Sequence, residues 1–398
     1  MSRTFEELSP KKFDEIIAER EQRINEASSA PLPGTFPVNE LAAKLHPSRQ
    51  YMKIAQVTAL DADTKCFRLV PDPTRGTSEC ALFQAGQYVN VFLDIDGMKV
   101  NRAYSISSSP ESAKEGFYEL TVKSVEGGLV SRYILDNWKE GDEAEISGPS
   151  GYFTYSSIRD ARTVIGVAGG SGITPFLSMA RAIADGDEDF DLILLYGSRT
   201  SDTILYHEEL DRLNAASDHI RVVHVLSDEK KEGCEEGFIT ADLIRRYAPD
   251  DKAYSVFLCG PQAMYQFVDK ELESLNLERK YIRHELFGEI HNPKDQADYP
   301  GNSQDTVQIT VSIRDVTKTV SGSANDTILQ TLEKNGIAVP SRCRSGECGF
   351  CHSLLKSGQV YVPKNMDGRR LADFKFGYIH PCASYPLSDL ELVVPADK

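Results

Sequence analysis

No apolar run in this 398-residue chain approaches the length of a membrane span. The best candidates, residues 164–168 and 192–196, have only the length of a buried strand. Basic charge is also short: 44 Lys and Arg face 60 Asp and Glu, a net charge of −16. That balance argues against nucleic acid as a partner. The first residues are charged and carry no apolar leader segment, so the sequence leads us to expect a cytoplasmic protein. Internal repeats and low-complexity stretches are missing as well. What remains is ordinary globular composition, 40% hydrophobic and 26% charged, in a chain long enough for two to four domains with proper cores.

Cysteine is present, and four of the eight residues are informative. Cys343, Cys348 and Cys351 share one loop, and Cys382 follows about thirty residues later. This is the plant-type spacing of a [2Fe–2S] cluster, three thiolates from one loop and a fourth from a distant segment. Gly346 and Gly349 suit a backbone that must wrap closely around a cluster. Structural zinc is the competing reading, but zinc sites usually combine two close ligand pairs. Disulfides would need an oxidising compartment, which nothing here suggests. Residues 303–398 hold 11 Lys and Arg against 10 Asp and Glu, a net of +1. The acidity therefore lies upstream, and this segment is not an acidic docking surface for a basic partner. Cys66, Cys80 and Cys234 read as incidental small residues.

The pattern along the chain changes four times. Residues 1–48 read as a helical extension, with Phe5, Leu8, Phe13, Ile16, Ile17 and Ile24 on one side of a helix. Pro31, Pro33, Gly34 and Pro37 are expected to end that helix. Residues 49–158 carry short strands between turn residues (88–95, 118–125, 144–147), the pattern of an antiparallel barrel. Residues 159–291 alternate strands (163–168, 191–196, 220–226, 254–258) with helices (176–184, 207–214, 263–275), as in an open parallel sheet covered by helices. Residues 292–304 read as a polar linker. Residues 305–398 mix strands (307–313, 318–320) with a helix capped by Asp326 or Thr327 and closed after Asn335 by Gly336.

Gly169-Gly170-Ser171-Gly172-Ile173-Thr174-Pro175 joins the first strand of the alternating region to its helix. Glycines let backbone amides approach a pyrophosphate, and the helix start adds positive potential. Thr174 is expected as N-cap, with Pro175 at the first helical position. Taken alone the loop reads more safely as a tight strand–helix turn. Cys259-Gly260-Pro261 strengthens the binding reading, because it lies at the carboxyl end of a later strand, where open sheets take their ligands.

From about residue 50 onward the chain resembles the ferredoxin–NAD(P)H reductase superfamily. The likeness is to reductases built from a flavin domain, a nicotinamide domain and a C-terminal plant-type ferredoxin of β-grasp fold. Reductase components of oxygenases and the hybrid-cluster-protein reductase are of this kind. Arg102-Ala103-Tyr104-Ser105 matches the family's flavin motif. There an arginine can pair with flavin phosphate, an aromatic can lie on the isoalloxazine, and Ser105 falls near flavin N5. Gly128-Leu129-Val130-Ser131, after Gly127, resembles the second flavin segment, and the resemblance adds Lys123. It places Cys259 beside the nicotinamide, with Gly260 and Pro261, and Glu285 near the reacting atoms. Phe287 would cover the flavin until the nicotinamide displaces it. Residue by residue, the plain alternatives are an ordinary strand, a turn, a small core thiol and a strand-end ion pair.

The resemblance implies NAD(P)H, a flavin and the cluster as cofactors. FAD is favoured over FMN because residues 146–153 look more like the FAD members. Ser198 and Arg199 could bind a ribose 2′-phosphate, yet Asp228 would repel it, and we lean to NADH. The implied activity takes two electrons from NAD(P)H and delivers them singly to a partner protein such as an oxygenase, a demethylase or a hybrid-cluster protein. Two alternatives remain at this stage. One is reduction of a small acceptor (flavin, ferric chelate, quinone) directly from FAD. The other is a non-catalytic redox-sensing subunit.

Overall fold

The protein was analysed as a computed structural model, which describes residues 10–31, 34–250, 252–285, 290, 292–301 and 305–395. It divides into two units, residues 1–44 and 45–398. In the first, α1 spans Pro10–Glu26 and α2 begins at Pro37. Ile16, Ile17 and Ile24 of α1 are exposed; Phe5 and Leu8 lie outside the described residues. One expectation is corrected here: Pro37 opens a helix instead of ending one. A proline at the first helical position loses no hydrogen bond, since that amide has no partner in any helix.

The second unit begins with six antiparallel strands: β1 (Gln50–Ala59), β2 (Thr64–Pro71), β3 (Tyr88–Ile95), β4 (Met98–Ser105), β5 (Tyr118–Lys123) and β6 (Glu143–Ile146). Their order is β4-β3-β6-β1-β2-β5, and a bridge from Ile106 to Leu120 joins the two outer strands into a barrel. Phe67, Leu69, Val89, Val91, Leu120 and Ile146 fill it. Helices α3 (Pro110–Lys114) and α4 (Leu129–Asn137) flank the barrel.

The alternating region gives a parallel sheet of order β10-β9-β8-β7-β11-β12. Its strands are β7 (Thr163–Gly169), β8 (Asp191–Ser198), β9 (Ile220–Leu226), β10 (Glu235–Glu236), β11 (Tyr254–Cys259) and β12 (Ile282–His284). Helices α5 (Thr174–Asp185), α6 (His207–Ala216), α7 (Ala241–Tyr247) and α8 (Gln262–Glu273) alternate with them. The order reverses between β7 and β11, so the loops after these two strands meet at the switch point, where doubly wound sheets bind ligands.

The last region has the sheet β14-β13-β19-β15-β17 and the small pair β16-β18. Their ranges are β13 (Thr306–Ile313), β14 (Val316–Ser323), β15 (Ser353–Ser357), β16 (Val360–Tyr361), β17 (Tyr378–Ile379), β18 (Tyr385–Pro386) and β19 (Leu390–Val393). Among the described strand pairs of this region, only β13 and β19 run parallel. Helix α9 (Ile328–Lys334) packs on this sheet and α10 (Leu371–Phe376) lies near β17. Thr327 caps α9 in a capping box with Gln330. Ile290, Tyr299 and Tyr361 pack into the core of this region.

Charged groups clamp the barrel to the parallel sheet. Arg181 of α5 reaches Glu119 of β5 at 2.8 Å, Glu209 of α6 at 2.7 Å and the Ser107 carbonyl at 2.9 Å. Arg283 of β12 donates to Asp160 and to the carbonyls of Tyr152 and Thr154. Buried pairs of this kind fix orientation because removing either partner strands a charge.

Candidate functional site

The two nicotinamide motifs touch. A Cβ on Gly172 would stand 2.3 Å from the Cys259 carbonyl oxygen, and one on Gly169 would meet Pro261 at 3.0 Å. Both glycines are required by this closeness. Gly170 differs: its φ is +52° and nothing lies within 4 Å of its Cβ position, which leaves the loop's outer face open. Thr174 is not an N-cap. A 3₁₀ turn, Gly170–Ile173, precedes α5, so Thr174 is already helical, and its hydroxyl donates to the Ser171 carbonyl at 3.1 Å. Pro175 sits in the first turn, as its missing amide hydrogen permits.

Tyr265 of α8 was not singled out in the sequence. Its hydroxyl accepts from the Gly260 amide at 3.1 Å and donates to the Glu285 carbonyl, tying the loop after β11 to the end of β12. Cys259 is 2% exposed, and burial, followed by the nearby Glu285 carboxylate, pushes its thiol up. Glu285 is buried too; burial, then Glu347 and Cys343, push its carboxyl well above the usual range. Phe287 lies outside the described residues.

The flavin motif occupies the end of β4. Ser105 is 4% exposed, and its hydroxyl has no partner among the described residues. An orphaned buried hydroxyl is costly unless a ligand supplies its partner. Tyr104 is half-buried within the strand. Arg102 donates to the Asn101 carbonyl at 2.7 Å and lies 3.9 Å from Glu333 of α9. Gly128 caps α4 without a side chain, because a Cβ there would meet the Ser131 Oγ at 2.8 Å. Ser131 Oγ accepts from the Val125 amide. Lys123 is paired with Asp61 and Asp63 at 3.9 and 3.4 Å.

The four cysteines converge. Cys351 and Cys382 sulfurs are 3.4 Å apart, and Cys343 interacts with both Cys348 and Cys382. Amides of Ser345 and Cys348 point at the Cys343 sulfur at 3.5 and 3.4 Å. Four thiols with donated amides fit a [2Fe–2S] cluster. Gly346 is needed at φ +82°, since a Cβ would stand 2.2 Å from the Met366 carbonyl. Arg344 takes φ +58° without being glycine. It is 1% exposed and held by Glu333 through two bonds of 2.6 and 2.9 Å. By contrast, Cys66 and Cys80 are merely buried, with thiols pushed up to about 11 and about 12.

The flavin strand and the cysteine loop meet around Tyr88, with Glu285 within electrostatic reach. Tyr88 pairs with Ser105 in the β3–β4 ladder, and its phenol is pushed up by burial and then by Cys343, Cys348 and Glu285. Asn101 Nδ2 donates to the Ser341 hydroxyl at 2.7 Å, joining the flavin strand to the cysteine loop. Neither Tyr88 nor Asn101 carried a sequence signal; each looks like an ordinary strand residue.

At the outer end of the parallel sheet, Arg199 is paired with Asp228 at 3.1 Å. Glu229 accepts from the Ser201 amide at 2.6 Å and from its hydroxyl at 3.2 Å. Ser198 ends β8 beside them.

Comparison with known proteins agrees with this geometry. Family models for an oxidoreductase FAD-binding domain, an oxidoreductase NAD-binding domain and a 2Fe-2S iron–sulfur cluster binding domain match residues 51–155, 167–270 and 311–387. The chain is 31% identical to the glycine betaine monooxygenase reductase subunit of Pseudomonas aeruginosa, over 77% of this chain and 86% of the relative. It is 27% identical to the NADH oxidoreductase HCR of Escherichia coli, over 78% and 88%. The solved structure of phthalate dioxygenase reductase, described as modular for electron transfer from pyridine nucleotides to [2Fe-2S], superposes with a TM-score of 0.62. That likeness is at 26% identity and covers 87% of this chain and 98% of that one. No helix among the described residues is long and apolar enough to cross a membrane. The chain therefore belongs to the ferredoxin–NAD(P)H reductase family, as an NAD(P)H-dependent oxidoreductase that passes electrons through FAD and a [2Fe–2S] centre.

Proposed function

We propose that this reductase takes its electrons from NADH and serves an oxygenase-type protein in the cytoplasm. The relatives named as reductase components of oxygenases support the partner class. The observation that carries the reading is the meeting of the flavin strand and the cysteine loop around buried Tyr88, with Glu285 of the nicotinamide side within electrostatic reach. FAD, when bound, would supply the conversion from a two-electron donor to one-electron delivery, and a cluster on the four cysteines would carry single electrons. The chain's own task is to bind, orient and exclude water.

Gly170, Ser171 and Gly172 receive the pyrophosphate on open backbone at the start of α5, with Thr174 and Pro175 shaping the first turn. Cys259, Gly260 and Pro261 form the dry wall against the nicotinamide. Glu285, held by Tyr265, borders the reacting atoms, and Phe287 shields the flavin when the nucleotide is absent. Arg102, Ala103, Tyr104, Ser105 and Lys123 hold the flavin from β4 and β5; Gly128, Leu129, Val130 and Ser131 hold it from the start of α4. Cys343, Cys348, Cys351 and Cys382 hold the cluster. Domain limits of 49–158, 159–291 and 305–398 suit these roles.

NADH is favoured because Asp228 already occupies Arg199, and Glu229 faces Ser201 beside Ser198. Two carboxylates suit ribose hydroxyls and oppose a 2′-phosphate. Electrons leave on the side of Cys351, where Phe350, Leu371, Phe374 and Phe376 are exposed. Arg342 and Arg369 lie 4.1 Å from the Phe350 and Phe374 rings. Arg369 is already paired with Asp367 at 2.6 Å, so it is the exposed rings with Arg342 beside them that suit an acidic patch on the partner and orient its approach.

The test uses Cys382→Ser. The variant should keep NADH-driven reduction of ferricyanide through the flavin and lose nearly all reduction of cytochrome c. Cytochrome reduction at the wild-type rate would instead favour direct delivery from FAD. A kcat/KM higher with NADPH than with NADH would refute the coenzyme assignment.

A further inference from the structure

We propose that His207, Asp211 and His224 form a site for a divalent transition-metal ion behind the nicotinamide-binding loop. His207 and Asp211 stand four residues apart on α6 and so share one helical face. His224 comes from the neighbouring strand β9. Asp211 Oδ1 lies 3.1 Å from His224 Nε2, and Asp211 Oδ2 lies 3.6 Å from His207 Nε2. All three donor atoms fall within 4.8 Å of one another. Ligands at about 2.0–2.2 Å around a tetrahedral ion stand roughly 3.3–3.5 Å apart. Each imidazole stands near that distance from a different oxygen of Asp211, so the carboxylate must turn and the imidazoles, whose rings pack edge to face at 4.7 Å, must close in for one ion to take all three.

The donor chemistry is that of zinc or copper and not of magnesium or calcium, which prefer all-oxygen sites. His224 is 7% exposed, with its Nε2 turned to Asp211 and its ring packed against His207. Its Nδ1 has no partner among the described residues. That position is unpaired whether Nε2–H donates to Asp211 or Nε2 binds an ion, so loading strands no additional group. Lys231 is within electrostatic reach of His224, and Cys234 of Asp211. Lys231 weakens cation binding and gives a handle for testing it.

Placement gives the ion a consequence. The residues just before His207 carry Leu205, whose amide donates to the Tyr196 hydroxyl at 3.3 Å, and that hydroxyl donates to the Gly170 carbonyl at 3.0 Å. An ion bridging α6 and β9 would brace the turn that supports the nicotinamide loop.

The experiment is calorimetric titration of chelator-treated holoprotein, with its flavin and cluster absorption intact, against Zn²⁺, Cu²⁺ and Mg²⁺ separately. We expect one equivalent of Zn²⁺ to bind, Cu²⁺ to bind more tightly, and Mg²⁺ not to bind. Saturating Zn²⁺ should raise the melting temperature by a few degrees. His207→Gln and Asp211→Asn, both at accessible positions, should weaken Zn²⁺ at least tenfold while leaving the visible spectrum unchanged. Lys231→Gln should tighten it severalfold. Zn²⁺ binding that survives both ligand substitutions, equal binding of Mg²⁺, or no binding at millimolar metal would each overturn the site. None of these outcomes touches the electron-transfer reading.

Discussion

The cysteine loop and the nicotinamide loop are both rich in glycine, but they are built for opposite purposes. At Gly346 the space is taken: a Cβ would stand 2.2 Å from the Met366 carbonyl, and the neighbouring Arg344 is locked in a left-handed conformation by buried Glu333. At Gly170 the conformation is also left-handed, yet the space above is empty. The first loop closes around a resident group that never leaves. The second keeps its outer face clear for a nucleotide that comes and goes. Glycine answers crowding at Gly346 and Gly172 and leaves room for approach at Gly170, and only the structure tells the two uses apart.

This contrast can be broken at its strongest point by Glu333→Ala. Buried Arg344 would lose the carboxylate that holds it through two bonds, costing about 3–5 kcal/mol. We expect a large fall in melting temperature and substoichiometric iron in the purified protein, while bound flavin stays near one per chain. Full iron content would mean that the pair does not hold the loop.

Gly172→Ala sharpens the other side. Its Cβ would collide with the Cys259 carbonyl at 2.3 Å, an overpacking that costs up to about 3 kcal/mol. The KM for NADH should rise tenfold or more with iron and flavin content unchanged. An unaltered KM would show that the two loops can part freely.

Glu119 lies at the seam between barrel and parallel sheet, bonded to Arg68 on one side and Arg181 on the other. Although burial pushes its carboxyl up, Arg181 and Arg68 hold it below the ordinary range. The stabilisation is present above the unfolded carboxyl value and is lost as pH falls through the folded one. Wild type should therefore lose stability below about pH 4. Glu119→Gln should be about 2 kcal/mol less stable at pH 7, and it should lack this step. Parallel acid-denaturation curves would contradict the assignment.

The mildest case is Gly170→Ala, where only the left-handed backbone resists, at about 1–2 kcal/mol. Melting should shift slightly and NADH binding should weaken modestly, far less than in Gly172→Ala. An equal loss for both would erase the distinction between crowded and open glycines.

Much of this was legible beforehand because it rests on local rules. Strand periodicity placed β3 at residues 88–95 and β9 at 220–226, and cysteine spacing placed all four thiols in one cluster of sulfurs. What the sequence hid depends on distant partners. Thr174 looks like an N-cap until the 3₁₀ turn before it is seen. Pro37 reads equally as a stop or a start, since proline suits both. Tyr88, Tyr265 and Asn101 obey strand and helix patterns perfectly well and acquire their importance only from what lies opposite them. Arg344 at positive φ defies local preference, and its stabilising partner is eleven residues away on another element.

Anaerobic titration of the purified holoprotein with NADH, followed through its visible spectrum, tests the central claim most directly. If electrons run from nicotinamide through flavin to cluster, the flavin bands will bleach first and partial bleaching of the cluster bands will follow. Complete flavin bleaching with the cluster bands unchanged at any excess of NADH would contradict it.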